Sequence, residues 1–236
     1  MLSIVLPVFN ESRCNYLDDI LGNLAQLSHA EIIIVDGGST DNTVQRVRDG
    51  GFTAIELPNS SRAARLNHGL EATRGDLVFL HHPRSLVPWQ ILADLESVLA
   101  ERQPCWGGLS HQFDDDHPLL SFTSWYSNRV RFDWRGIVYL DHCLFLSRHF
   151  IDQGYRFPDI EIFEDTGFSA AMKRCAKPIR LPDHCTTSAI RFRNNGVFRQ
   201  ALLNQFLKVA YWLKTSPTKM NRYYEKGLGL NKRSDG

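Results

Sequence analysis

The residues best suited to chemistry lie in a few short stretches. Ile32 to Val35 is an unbroken β-branched run that stops at Asp36-Gly37-Gly38 and continues into Ser39, Thr40 and Asp41. Such a run predicts a short strand buried on both faces of a parallel sheet. The two glycines permit a tight turn and close approach of a ligand to the backbone. Ser39, Thr40 and Asp41 offer N-cap oxygens to a helix starting near Asn42. Asp36 is thus expected at the carboxyl end of a strand, where open α/β sheets bind ligands. The same residues would also make an ordinary strand–turn–helix connection. Asn10 and Glu11, after the apolar run Leu2 to Phe9, are expected at the same edge.

The elements that position these groups follow in order. Tyr16 to Leu27 carries apolar residues at helical spacing. A second helix holds Val44 and Val47 and is broken by Asp49-Gly50-Gly51, before a strand at Phe52 to Leu57. Ala63 to Thr73 is expected to be helical, and Leu77 to Leu80 is a fourth strand. Strands alternating with helix-length segments predict βαβ units and a Rossmann-like α/β fold with a mostly parallel sheet flanked by helices. No G-x-G-x-x-G follows the first strand, which speaks against a dehydrogenase.

Composition bounds the rest. The 236 residues suffice for one core, or one domain with a C-terminal extension. With 27 basic and 26 acidic residues the net charge is +1, so no global field argues for nucleic acid. The first residues lack a basic leader and read directly as a strand, and no apolar run is long enough to span a bilayer. Five cysteines without a CxxC pair fit reduced thiols in a cytoplasmic protein.

Three stretches together, Leu6-Pro7-Val8-Phe9-Asn10-Glu11, Val35 to Thr43 and Arg62-Ala63-Ala64-Arg65-Leu66-Asn67-His68-Gly69, resemble the signature of family 2 glycosyltransferases. The resemblance implies a GT-A fold and transfer of a sugar from a nucleotide-diphosphate donor of the UDP or GDP type. It implies that Asp36 meets the base, with the backbone around Pro7 and Phe9 framing it. Asn10, Glu11, Gly38, Ser39 and Asp41 belong to the same donor region. Arg62 and Arg65, near a helix start, are suited to phosphates as bidentate donors, with solvated surface arginines as the plainer alternative. Asn67 is a candidate orienting group.

At the end of the fourth strand the chain departs from the family. Where the family has Phe-Leu-His-Ala-Asp-Thr, with the aspartate serving a divalent metal, this chain has Phe79-Leu80-His81-His82-Pro83-Arg84-Ser85. Mg²⁺ and Mn²⁺, the metals the family implies, prefer carboxylate oxygens, and proline offers none. Three readings stand. Arg84 neutralises the diphosphate in place of a metal; His81 or His82 ligates a softer metal; or the protein has lost catalysis and only binds the nucleotide sugar.

Further along, Trp89 to Leu99 is expected as a surface helix and Trp106 to Phe113 as a strand. Asp114-Asp115-Asp116 reads as a solvated acidic turn rather than a metal cluster. Phe122 to Trp134, rich in aromatics and arginine, either lines an acceptor groove or packs over the sheet. Ile137 to Leu146 reads as a strand in which, by resemblance, Asp141 faces the donor sugar. Phe163-Glu164-Asp165-Thr166-Gly167-Phe168 matches the family's Glu-Asp-x-x-Phe helix start. In inverting members an aspartate here is the base that deprotonates the acceptor, with Glu164 as its alternate; helix capping by acids is the structural alternative. Lys177 to Leu181 and Cys185 to Ile190 are expected as two more segments of the fold. Arg191 to Asn195 is a donor-phosphate or acceptor loop. Residues 1–190 are expected to form the GT-A domain and 191–236 a helical extension packed on it. The helix at 197–214 either packs on the domain or lies at a membrane interface near a lipid-linked acceptor, which would place the protein at the inner face of the membrane. Residues 226–236 are expected to fray.

Overall fold

A computed structural model describes residues 1–14 and 16–225. Strand β1 (Leu2–Val8) is buried along its whole length. It pairs in parallel with β2 (Glu31–Asp36) on one side and β4 (Leu77–Leu80) on the other. β3 (Ala54–Glu56) extends the parallel half beyond β2. The crossovers are α1 (Tyr16–Leu24), α2 (Thr43–Asp49) and α3 (Arg62–Ala72). Beyond β4 the directions mix. β5 (Ser85–Leu86), β6 (Trp106–Phe113), β7 (Leu144–Ser147) and β8 (Ile179–Thr187) complete an eight-stranded sheet of order β3-β2-β1-β4-β7-β6-β8-β5. β7 runs antiparallel to β4 and β6, and β8 runs parallel to β6.

Period-two alternation in β1 separates two cores. Ile4, Leu6 and Val8 pack with Leu17, Ile20 and Leu24 of α1 and with Leu92, Leu95 and Leu99 of α4 (Trp89–Leu99). Val5 faces the other way, among Ala63, Leu66 and Leu70 of α3 and Phe132 and Phe168. The remaining helices are α5 (Pro118–Tyr126), α6 (Arg148–Asp152), α7 (Glu164–Met172), α8 (Ile190–Asn195), α9 (Val197–Trp212) and α10 (Pro217–Glu225). Ile162, Leu207, Ala210 and Met220 form a small separate cluster that seats α9 and α10 beside the loop before α7.

One stretch differs from the sequence expectation, and two others, for which no element type was expected, take definite form. Phe122 to Trp134 is helical, α5 running on into a wider π-type winding over Ser127–Trp134. The strand expected over Ile137 to Leu146 begins only at Leu144. Leu140–His142 form a 3₁₀ turn, because buried His142 turns its ring to Leu109 O and Ser127 Oγ instead of extending. Lys177 to Leu181 and Cys185 to Ile190 are joined in the single strand β8, with Ile190 opening α8. The segment 226–236 lies outside the described residues, and the five cysteines are free thiols.

Candidate active site

Two clusters of polar residues occupy the carboxyl edge of the sheet. The first is the turn after β2. Asp36 is buried, its Oδ2 accepts the N–H groups of Gly38 and Ser39 (2.8 and 2.9 Å), and its Oδ1 accepts the Ser39 hydroxyl. Gly38 sits at φ 87°, a left-handed conformation that glycine adopts without strain. The turn is tied to the end of β1: Asn10 N–H donates to Ser39 Oγ, Thr40 N–H to Asn10 Oδ1, and Ser12 to Asp41. Thr43 Oγ1 accepts the Glu11 N–H at 2.8 Å. Burial works against the charge of Asp41, but its bonds from Ser12 and Thr43 hold the pKa below the usual value.

Arg65 passes beneath this turn. It is 2% exposed, donates from Nη1 to Val8 O at 2.7 Å and lies over the Phe9 ring. Burial pushes its pKa down to about 10. A Cβ on Gly37 would come within 2.4 Å of Arg65 Nη1, so the glycine leaves the guanidinium its path.

The second cluster surrounds a cavity of about 210 Å³, walled by the β4–β5 connection, α7, α8 and α9. Arg62, His82, Arg84, Asp141 and Asp165, all singled out in the sequence, line it. Asp165 opens α7; its Oδ2 accepts the Leu140 N–H at 3.2 Å and its Oδ1 the Thr166 N–H at 2.7 Å. Burial, reinforced by neighbouring Glu164, raises its pKa to about 7 despite nearby Arg62. Glu164 faces inward and is ion-paired with Arg62 Nε, its Oε2 buried without a hydrogen-bond partner. Phe163, just before them, takes φ 64°, a strained conformation for an aromatic residue. Asp141 Oδ2 lies 3.8 Å from His111 Nε2, and Oδ1 is buried with no partner. Burial opposes its charge, yet the neighbouring imidazoles and Arg131 keep its pKa below the usual value.

Several wall residues were not assigned a role from the sequence. The Arg131 guanidinium stacks on the Tyr139 ring at 4.0 Å. Lys208 of α9 also faces the cavity, and burial, with Arg131 and Arg135 nearby, lowers its pKa to about 8. Gln200 and Asn204 of α9 join them. The aromatic–arginine richness of 122–134 was the available signal for Arg131; nothing local marks Tyr139 or Lys208.

Other candidates fall elsewhere. Glu11 is buried and grips Arg84 bidentately (Nε–Oε2 2.8 Å, Nη2–Oε1 2.9 Å), and burial raises its carboxyl pKa although Arg84 opposes this. Asn67 exchanges two hydrogen bonds with the Phe157 backbone, away from the cavity. His81 and His82 point apart, as neighbours at a strand end must. His81 is fully enclosed with its pKa lowered by burial to about 4, whereas His82 reaches the cavity wall. Asp114 is a staple rather than a solvated turn, accepting from Tyr16, Ala189 and Arg193.

The motif position offers a divalent cation no oxygen: Pro83 supplies none and both Glu11 oxygens are taken by Arg84. The Nδ1 atoms of His81 and His82 bond to His82 O and Ser85 Oγ, which leaves their Nε2 atoms as the ring nitrogens for a metal. Among the described residues no group of three or more His, Cys, Asp and Glu side chains is placed to hold a metal.

Comparisons with known proteins agree with this architecture. Glucosyl-3-phosphoglycerate synthase from Mycobacterium tuberculosis, solved with phosphoglyceric acid, is 17% identical and superposes with a TM-score of 0.59 over 79% of this chain and 70% of that one. S. aureus TarS 1–349, solved with UDP-GlcNAc, is 17% identical with a TM-score of 0.62, over 79% of this chain and 58% of that one. The mycobacterial synthase with Mn²⁺ and UDP-glucose gives 15% identity and a TM-score of 0.57 over 79% and 70%. No curated protein sequence matches. The chain has the GT-A fold, and its residues 3–82, from β1 to His82, match the family described as Glycosyl transferase family 2.

Proposed function

We propose that this protein is an inverting glycosyltransferase that moves a sugar from a uridine-diphosphate donor to an acceptor hydroxyl. The observation that carries the reading is Asp165: a cavity carboxylate at a helix start, with its pKa raised to about 7, beside cations suited to a leaving diphosphate. The family match over residues 3–82 and neighbours solved with UDP sugars support the donor class.

The nucleotide lies across the ends of β1 and β2. Asp36 holds the turn and keeps a remaining lone pair on Oδ1 for the base, with Pro7 and Phe9 framing it. The diphosphate enters the cavity, where Arg62, Arg84, Arg131 and Lys208 surround it with positive charge. The Glu11–Arg84 pair fixes that guanidinium in place, so Arg84 acts as an oriented donor more than as a net charge. Asp165 takes the proton from the acceptor hydroxyl. The hydroxyl oxygen forms its bond to the anomeric carbon as the bond to the diphosphate oxygen breaks, inverting that carbon. A base with a pKa near 7 is about half ionised at neutral pH, and its ionised form is basic enough to take the proton.

Asp165→Asn is the test. UDP release from UDP-glucose or UDP-N-acetylglucosamine should fall by about 10²–10⁴-fold, with UDP affinity within about twofold by calorimetry. Full turnover in the variant would remove Asp165 as the base. With Arg84 in place of a metal at the diphosphate, UDP binding should survive EDTA; binding that appears only with Mn²⁺ would overturn the arginine-based diphosphate site.

A further inference from the structure

Helix α9 presents two unlike faces. One carries Gln200, Asn204 and Lys208 to the cavity. The other carries Phe198, Leu202, Phe206 and Val209 at helical spacing, with Trp212 and, just past the helix end, Leu213 beside them. These are exposed, Phe198 at 74%, Leu202 at 73%, Phe206 at 62% and Trp212 at 79%. Single exposed apolar residues are ordinary, but a contiguous ridge of six is not.

The ridge has a neighbour. Helix α5 runs alongside α9 in the same direction: the His117 ring meets Phe198 at 5.9 Å, and Lys208 Nζ lies 5.9 Å from the Tyr126 ring. α5 adds Phe122 and Trp125, stacked on each other at 5.7 Å and also exposed.

We propose that the outer faces of α5 and α9 dock this protein on an anionic lipid bilayer. Charge selects that occupant. Between Asp183 and Glu225 the chain carries seven lysines and arginines and no aspartate or glutamate, in a protein of net charge +1. Arg191 and Arg193 turn to Glu225 and Asp114, whereas Arg199, Lys214, Lys219 and Arg222 are exposed and in no ion pair among the described residues. An apolar ridge with a cationic margin is the pattern of an interfacial helix, to which anionic headgroups are complementary. A second copy fits worse, because a two-fold contact through the same patch would set cations against cations. Residues 226–236 hold only Leu228 and Leu230 as large apolar side chains, too few to cover the ridge. No helix among the described residues is long and apolar enough to cross a membrane, so the contact is with the surface. If the cavity binds an acceptor as proposed above, docking holds it about one helix diameter, roughly 10 Å, from the lipid.

Vesicle flotation tests this without using activity, so its failure leaves the catalytic reading standing. The full chain should float with phosphatidylcholine vesicles containing phosphatidylglycerol, less with phosphatidylcholine alone, and less as salt rises. The double variant Phe206→Glu/Trp212→Glu should bind at least about tenfold more weakly with an unchanged circular dichroism spectrum, since both positions are exposed. Arg199→Gln/Lys214→Gln should weaken only the anionic component. Absence of flotation, flotation untouched by the double glutamate variant, or sedimentation showing a dimer that this variant dissociates would each overturn the proposal.

Discussion

The turn after β2 and the cavity beneath α9 lie at one edge of one sheet, yet they treat their polar groups differently. In the turn, Asp36, Asn10, Ser39, Asp41 and Thr43 satisfy one another, and Arg65 closes the set against Val8 O. In the cavity wall, Asp141 Oδ1 and Glu164 Oε2 are buried without partners, Asp165 is held near neutrality, and Phe163 is strained. Satisfied networks make rigid scaffolds, whereas unmatched buried groups raise the free energy of the unliganded state and favour a ligand that matches them. One region is built to hold shape, and the other keeps unmatched groups that a ligand can satisfy.

The contrast is broken most forcefully by changing one residue in each region. Asp165→Asn should remove turnover and leave the fold intact. Gly37→Ala should do the reverse. Its Cβ displaces the Arg65 guanidinium and costs its charged hydrogen bond to Val8 O, a carbonyl that keeps the Gly37 N–H, a loss of about 1.5–3 kcal/mol. Chemical denaturation measures that loss, and activity per folded molecule should fall by a smaller factor than in Asp165→Asn. A Gly37→Ala protein of wild-type stability would mean that the turn has slack and the contrast is false.

A pH series sharpens the comparison. The folded-state pKa of Asp165, about 7, lies above its ordinary 3.8. Between those values the unfolded chain releases a proton that the folded chain keeps, so stability contributed by this group is full below about 4 and is lost as pH rises towards 7. Asp165→Asn lacks that loss. Its melting temperature should therefore exceed the wild type's by about 10 °C at pH 8 and match it at pH 4, since each pKa unit is about 1.4 kcal/mol and each kcal/mol moves Tm by about 2–4 °C at this size. Equal melting curves at pH 8 would show that Asp165 is already ionised in the fold at little cost.

The turn was legible in the sequence and the cavity only in part, for a physical reason. The capping oxygens, the glycines and the β-branched run act within a dozen residues of one another, so their chemistry is written locally. The direction of Arg65 was not, because what turns it inward is a carbonyl 57 positions earlier. The ion pairs Glu11–Arg84 and Arg62–Glu164 join residues 73 and 102 positions apart. Arg131, Tyr139 and Lys208 come from three segments that only the tertiary fold brings together. The strand expected over Ile137 to Leu146 failed at Asp141-His142, where a buried imidazole makes two hydrogen bonds, to Leu109 O of β6 and to Ser127 Oγ of the winding after α5, that an extended backbone would forfeit.

The smallest effect concerns Lys208, whose cavity role rests on charge alone. Its pKa of about 8 leaves it mostly protonated at pH 7 and mostly neutral at pH 9. Lys208→Met keeps the length and apolar stem and removes the cation. UDP affinity, measured by calorimetry, should weaken by about three- to tenfold at pH 7, the range of one ordinary net hydrogen bond of about 0.5–1.5 kcal/mol. At pH 9 the wild type has itself lost most of the charge, so the two proteins should bind UDP almost equally. A gap that persists at pH 9 would mean that Lys208 contributes through packing against Tyr126, and that the diphosphate is held by the arginines without it.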